Sequence, residues 1–297
     1  MAGGNIRRVA AIGTGTIGAS WTAVFLARGL TVAASDPAPG AETFLRGFVA
    51  AAWPSLARLS PLPAEPPWTA LNFHTEPETA LAGAEFVQES APEREDLKRA
   101  LLARLDAVLD PEIAIASSSS GLLMSRMQID SRHPERCVIG HPFNPPHLVP
   151  LVEVVGGEKT GREAIERALA FYTAIGKRPI HIWREVPGHV ANRLQAALWR
   201  EALHLLAEGV ASVADIAIRR SVPGRAALCL DGAASDFSPR RRGRRHRSFL
   251  RAIRRADGEL VGDFGKSGAD PRIARASRQR HCRRNRRARY RRVGSLA

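Results

Sequence analysis

Cysteine is scarce. Cys137, Cys229 and Cys282 are the only three in 297 residues, without metal-ligand spacing or an even-numbered disulfide framework, and this usage suits a reducing cytoplasm. Long apolar runs are missing as well: no stretch approaches the roughly 20 residues a membrane helix needs. The start, MAGGNIRR, passes straight into a short apolar run without a signal peptide's cleavage pattern. Internal repeats are absent. These absences predict a cytoplasmic protein with no membrane contact and no metal, with room for two domains that each bury a core.

Acidic residues are also missing, but only from one end. The formal charge of +15 would ordinarily point to a nucleic-acid or anionic partner. Residues 1–218, however, carry 20 Lys and Arg against 23 Asp and Glu, whereas residues 219–297 carry 24 against 6. The basicity therefore belongs to the tail, and the first two-thirds read as an ordinary enzyme-like chain.

That part opens with RRVAAIGTGTIGASWTAVFLARGLTVAASD, a short apolar strand, a glycine turn, a helix and a second strand ending at Asp36. Gly13 allows the tight turn, Gly15 lets the backbone approach a pyrophosphate, and Gly18 lets the helix pack closely on the strand. The helix opening at Thr16 and Ile17 offers amide donors. Asp36 follows Gly18 by 18 residues, where a carboxylate can accept both ribose hydroxyls and repel a 2′-phosphate. The pattern predicts a site for NAD rather than NADP, against the plainer reading of a glycine-rich turn.

Further on, AEFVQESAPEREDLKRALLARLDAVL reads as a buried strand, a polar loop and a helix. EIAIASSSSGLL reads as a strand running into a serine loop, and CVIGHPFNPPHLVPLVEVVGG as two short apolar segments around a proline-rich turn. Alternation of this kind predicts an α/β fold with a Rossmann-type, doubly wound, mostly parallel sheet. Ligands gather at the carboxyl ends of such strands, where Ser117–Ser120 and His141 fall. Between Asp36 and TALNFHT the only cations are Arg46 and Arg58. A phosphate-bearing CoA ester calls for a cationic cluster, so this scarcity favours a small substrate.

His141, Glu153, Ser120 and Asn192 form a candidate catalytic set. Oxidation of a secondary alcohol by hydride transfer needs a base for the hydroxyl proton, and neutral imidazole suits that task near pH 7. A carboxylate behind it fixes the tautomer, while hydroxyl and amide groups can hold the reacting oxygen. Each residue has a plainer reading: His141 as a structural hydrogen-bonder, Glu153 as a solvated strand end, the serines as loop or cap residues, and Asn192 as a helix cap. Ser118 or Ser119 could make some of the contacts assigned to Ser120. The helix carrying Asn192 is expected to begin at Pro187, with Val190, Leu194, Ala197, Leu198, Leu205 and Leu206 near a 3.6-residue period.

GTGTIG, QESAPEREDLK, SSSSGLL, HPFNPPHLVPLVEVVGG and PGHVANRL follow one another in the order and at the spacing of the 3-hydroxyacyl-CoA dehydrogenase family. Over residues 6–218 the chain resembles most the branch containing L-carnitine dehydrogenase and the lambda-crystallin type L-gulonate 3-dehydrogenases. The resemblance implies NAD as cofactor, His141 as general base with Glu153 as its partner, and Ser120 and Asn192 as holders of the substrate oxygen. It also implies cofactor contacts at Asp36, Glu93, Lys98, Ser120 and Asn144. The implied reaction is oxidation of the 3-hydroxyl of a small, carnitine-like hydroxy acid, with a 3-hydroxyacyl-CoA or L-gulonate as alternative substrates. The family architecture is a Rossmann domain, here 1–185, then an all-helical domain that closes the cleft and forms a homodimer. Only the start of the helical domain is expected, at 186–218. His189 departs from the aromatic residue usual in the family at that position.

After ASVADI the family pattern stops, and 219–297 is an arginine-rich tail expected to be disordered. Read one base out of phase, the codons for AALCLDGA, residues 226–233, can encode L-R-Y-A-L-M-G-P, and those for 236–246 can encode T-F-H-L followed by glycines. Both match family segments in order. The tail is thus expected to be glycine and alanine codons of a GC-rich gene read out of frame, with the shift upstream of Ala226. The competing reading is a basic arm that binds nucleic acid or another polyanion. It leaves the coding match unexplained and lacks interleaved aromatics, with only Phe237, Phe249, Phe264 and Tyr290 in that stretch.

Overall fold

The computed structural model describes residues 6–212 and Asp215, all within one compact unit. The expected basic tail, 219–297, lies outside the described residues. Short runs of small and branched apolar residues make the strands. β1 (Arg8–Ile12), β2 (Thr31–Ser35), β3 (Leu71–His74), β4 (Phe86–Glu89), β5 (Ile115–Ser117), β6 (Cys137–Pro142), β7 (Leu151–Gly156) and β8 (Arg178–Ile182) form one sheet of order β3-β2-β1-β4-β5-β6-β7-β8. β1, β2 and β4 are buried along almost their whole length, as strands covered on both faces must be. All neighbouring strands are parallel except β6 and β7.

The connections are filled by α1 (Thr16–Ala27), α2 (Ala41–Ala57), α3 (Pro77–Ala80), α4 (Glu95–Val108), α5 (Met124–Met127) and α6 (Arg162–Ala174). Alternation along β1 sends Val9 and Ala11 to the face where Trp21, Phe25, Leu45, Trp53, Phe171 and Tyr172 pack. Ala10 and Ile12 go to the opposite face, against Leu102, Leu105, Met124 and Met127. Trp21 lies 5.5 Å, centroid to centroid, from both Phe25 and Tyr172, joining α1 to α6. The architecture is therefore the expected Rossmann-like α/β fold with helices on both faces.

The one antiparallel step positions the site. The chain leaves β6 at Pro142, turns through residues 143–150 and returns as β7 without a crossover helix. In this ladder His141 stands opposite Glu153, and directly opposed residues share a face with Cβ atoms about 4.5–5.5 Å apart. A slip of one residue would send the two side chains to opposite faces. Lys177 tethers the intervening turn: its ammonium donates to the carbonyls of Pro146 and Val149 and lies 5.2 Å from the Trp21 ring. Burial, and then the charge of Arg28, pull it down to about 8.

Beyond β8 the chain enters α7 (Ala191–Ala207). The expected start at Pro187 is corrected, because Gly188 and His189 follow it with φ of 75° and 50°, a left-handed pair that no right-handed helix includes. The apolar positions Val190, Leu194 and Leu198 of this region are 40%, 59% and 37% exposed. No helix among the described residues is long and apolar enough to cross a membrane.

Candidate active site

At the carboxyl end of β1 the glycine turn is shaped by contacts that exclude side chains. Gly13 has φ +84°, and a Cβ there would meet the backbone of Ser90 and Ala91 at 2.8 Å. A Cβ at Gly18 would lie 1.8 Å from the Gly13 carbonyl oxygen, so α1 can approach the turn only with glycine at this point. Gly15 differs: nothing lies within 4 Å of its hypothetical Cβ. Packing therefore does not require glycine there, and the open space sits at the N-terminus of α1. That helix has neither a side-chain cap nor an acidic residue in its first turn, so its opening amides face outward with the positive end of the helix dipole. Asp36 accepts the Thr14 amide (2.8 Å) and hydroxyl (3.3 Å) on one oxygen and the Ala38 amide (3.0 Å) on the other. A carboxylate has about four lone-pair sites, so it keeps capacity for ribose hydroxyls. The open cradle, uncapped amides and fixed carboxylate fit a dinucleotide.

A second layer lies at the ends of β4 and β5. Lys98, buried on α4, is 2.7 Å from Glu89 and 3.8 Å from Glu93. Glu89 also accepts the Ala91 amide and the Ser117 hydroxyl, each at 2.5 Å. Sequence reasoning missed Glu89. Its signal was an acid at the end of an apolar strand, with a lysine nine residues on that needs a partner once buried. Glu93 folds over the serine loop, accepting the Ser119 hydroxyl (2.7 Å) and the amides of Ser120 (2.8 Å) and Gly121 (3.0 Å). Burial raises its proton affinity, but these bonds and the Lys98 ammonium outweigh it and hold Glu93 below the usual carboxylate range. Ser118, whose involvement was left open, bonds Ser90 and Gln88, each at 2.9 Å, and Gln88 in turn accepts from Tyr172 at 2.6 Å.

The third group is the cross-strand pair. His141 Nδ1 and Glu153 Oε2 are 2.9 Å apart, with Glu153 fully buried. The other carboxylate oxygen, Oε1, accepts the amides of Val190 (3.0 Å) and Ala191 (2.9 Å), the opening of α7. Burial alone would raise the Glu153 carboxyl. The His141 hydrogen bond, the Ala191 amide and, when either ring is protonated, the charges of His141 and His189 more than compensate, and it is held below the usual carboxylate range. Glu153 is thus ionised, so Nδ1 of His141 carries the shared proton, and it is the neutral form of the ring that offers a lone pair at Nε2. Asn192, on the first turn of α7, donates to the Ser120 carbonyl at 3.0 Å. The main-chain clamp on Glu153 was not legible in the sequence, because backbone amides carry no residue signature.

These groups converge on one open cleft of about 420 Å³, lined among others by Ile17, Glu93, Lys98, Ser120, His141, Asn144 and Asn192. Of the remaining sequence candidates, Gly13, Gly15, Thr16, Gly18 and Asp36 form the adjoining turn, and Glu153 sits behind His141. Fold and site together define an NAD-binding protein of the Rossmann class.

Comparison with known proteins narrows this. Residues 8–186 match the NAD binding domain of 3-hydroxyacyl-CoA dehydrogenase, and residues 188–219 match its C-terminal domain. L-carnitine dehydrogenase of Streptomyces coelicolor is 57% identical over 212 residues, covering 71% of this chain and 66% of the relative. L-carnitine dehydrogenase of Pseudomonas aeruginosa is 52% identical over 213 residues, 71% of this chain and 65% of the relative. The chain thus spans slightly less than two-thirds of the length of these curated relatives. Among solved structures, 3-hydroxybutyryl-CoA dehydrogenase from Escherichia coli K12 superposes with a TM-score of 0.64 at 32% identity, covering 70% of this chain and 44% of that one. An NAD+-dependent dismutase, 5-formyl-3-hydroxy-2-methylpyridine 4-carboxylic acid 5-dehydrogenase, gives 0.68 at 29% identity, with 87% and 81% covered. The chain belongs to the 3-hydroxyacyl-CoA dehydrogenase family, and its cofactor is NAD.

Proposed function

We propose that the chain is built to oxidise the 3-hydroxyl of a small, carnitine-like 3-hydroxy acid to the 3-oxo acid. The observation that carries this is the buried His141–Glu153 pair at 2.9 Å, with the remaining Glu153 oxygen occupied by amides and the imidazole lining the cleft. His141 Nε2 takes the hydroxyl proton while Glu153 stabilises the imidazolium that forms. Bound NAD supplies the acceptor for the hydride that leaves the same carbon. The Ser120 hydroxyl, only loosely engaged by Glu93 at 3.4 Å, can turn to the substrate oxygen. Asn192, which also lines the cleft, holds the Ser120 loop through its amide NH2. Residues 1–185 hold the cofactor, and 186–218 open the helical part that would complete the cleft and a homodimer.

The names of these curated relatives favour L-carnitine as the substrate type. The cation-poor α2 agrees with a substrate lacking phosphates: Arg46, its single cation, is paired with Glu42 at 2.8 Å and lies over the Trp68 ring. The family description and the Escherichia coli structure favour an acyl-CoA ester as the second reading. NADH formation from L-carnitine, L-gulonate, 3-hydroxybutyrate and a 3-hydroxyacyl-CoA separates these, and preference for the CoA ester overturns the small-acid reading. His141→Ala should lower turnover about 10²–10⁴-fold while leaving NAD binding in place. The chain as it stands should turn over slowly, because the family sequence stops near 218. A frame-restored gene is the reference for comparison.

A further inference from the structure

His189 carries two unfavourable features at one position. Its φ of 50° makes it the only non-glycine residue with positive φ among the described residues, a conformation that side chains with a Cβ rarely adopt. Its ring is also buried, at 1% exposure, and Nδ1 bonds to no group of the protein. Polar atoms in that condition are uncommon and call for an explanation, and strained residues cluster where geometry serves a site. A phenyl ring would fill the space without an unsatisfied nitrogen, so the imidazole calls for a reason beyond packing.

The contacts suggest the reason. His189 Nε2 lies 3.1 Å from the Ser119 carbonyl oxygen. A carbonyl only accepts, so Nε2 carries the hydrogen and a neutral ring leaves Nδ1 bare. The ring stands 5.4 Å from that of His141, tilted by 50°. The next two residues, Val190 and Ala191, donate their amides to Glu153, and Ser119 adjoins Ser120. One short segment therefore grips the dyad's carboxylate through its backbone and the serine loop through its side chain. Protonating His189 would place a cation beside His141 and near Glu153 and Glu93. Burial first, and the charge of His141 second, disfavour that proton, against the opposing pull of the Ser119 hydrogen bond and the two carboxylates.

We propose that His189 is a positioning residue: a neutral imidazole whose Nε2–H bond to Ser119 fixes the serine loop relative to the His141–Glu153 pair. This rests on the dehydrogenase reading for its catalytic consequence, but not for its geometry.

The geometry is tested without turnover by nitrogen-15 NMR of the histidines and loop amides in the full chain. In the unmutated protein His189 should show the Nε2–H tautomer and be neutral at pH 7. His189→Phe, which keeps volume but removes the donor, should shift the Ser120 and Gly121 amides and speed their exchange about 10-fold or more. His189→Gln, with a donor at similar reach, should restore those amides. With a 3-hydroxy acid substrate, Phe should lower kcat about 10-fold and Gln should recover most of it, in line with the sensitivity of rates to small misplacements. An Nδ1–H tautomer or a charged His189 in the unmutated protein overturns the proposal even if both variants fail to fold. So does a folded Phe variant with unchanged loop amides. If the NMR results hold and no hydroxy acid is turned over by any form, the product of the frame-restored gene included, the positioning stands and the dehydrogenase reading fails.

Discussion

Replacing Glu153 by Gln tests the site at its most connected atom pair. The carboxylate receives three bonds: from His141 at 2.9 Å, and from the Val190 and Ala191 amides at 3.0 and 2.9 Å. Hydrogen bonds to a charged group contribute about 1.5–3 kcal/mol each against about 0.5–1.5 for neutral ones, so neutralising this acceptor should cost roughly 2–4 kcal/mol of stability. The amide must also present its NH2 to one side. If its oxygen keeps the α7 amides, the NH2 faces His141 Nδ1 and drives the ring to the Nε2–H tautomer, which has no lone pair for the substrate proton. In a serine protease the corresponding change costs about 10⁴-fold in turnover, and a loss of about 10²–10⁴-fold is expected here. The folded carboxyl is held below its ordinary value. Its stabilisation is therefore present above the unfolded value near 4.5 and is lost as pH falls through the folded value. Urea denaturation of both proteins should show a gap that is full at pH 7 and narrows below about pH 4.5, with imidazole nitrogen shifts reporting the tautomer. Equal stability at pH 7 with an unchanged His141 tautomer would refute the assignment.

Three further outcomes follow from the cofactor turn and the tail. Gly15→Ala should fold with unchanged stability, since nothing lies within 4 Å of the added methyl, yet lose NAD affinity at least about 10-fold where the backbone must approach the pyrophosphate. Gly18→Ala, whose methyl would overlap the Gly13 carbonyl at 1.8 Å, should lose both stability and NAD binding; equal behaviour of the two variants would contradict the cradle. NAD should bind more tightly than NADP, and Asp36→Ala should narrow the difference in a calorimetric titration, whereas equal affinities in the unmutated protein would remove the role given to Asp36. Sequencing the encoding DNA should reveal an open second frame carrying the family's helical segments after residue 218, and stop codons in that frame would end the frameshift account.

Much of this site is local in sequence, and to that extent it was legible. Gly13, Gly15, Gly18 and Asp36 fall within one strand–turn–helix–strand unit, where steric demands on the backbone select glycine and strand length places the acid. The apolar strands and intervening helices predict a sheet covered on both faces by the same period arguments. His141 and Glu153 were named from their chemistry and spacing, but only the antiparallel register of β6 and β7 puts them on one face at bonding distance. Proline favours a first helical turn, so the sequence points to Pro187 as the helix start, but the left-handed Gly188–His189 pair delays the helix to Ala191. That delay aims two free amides at Glu153, a backbone contact with no residue code. The tie from His189 to Ser119 likewise joins segments distant in sequence, whereas Glu89 and Lys98 lie only nine residues apart and meet because a buried lysine needs a partner. The sequence alone determined which chemical groups this protein carries and which backbone turns it can make. Tertiary structure decided which of those groups meet, because pairing across a sheet and burial against another element depend on residues that local patterns cannot register.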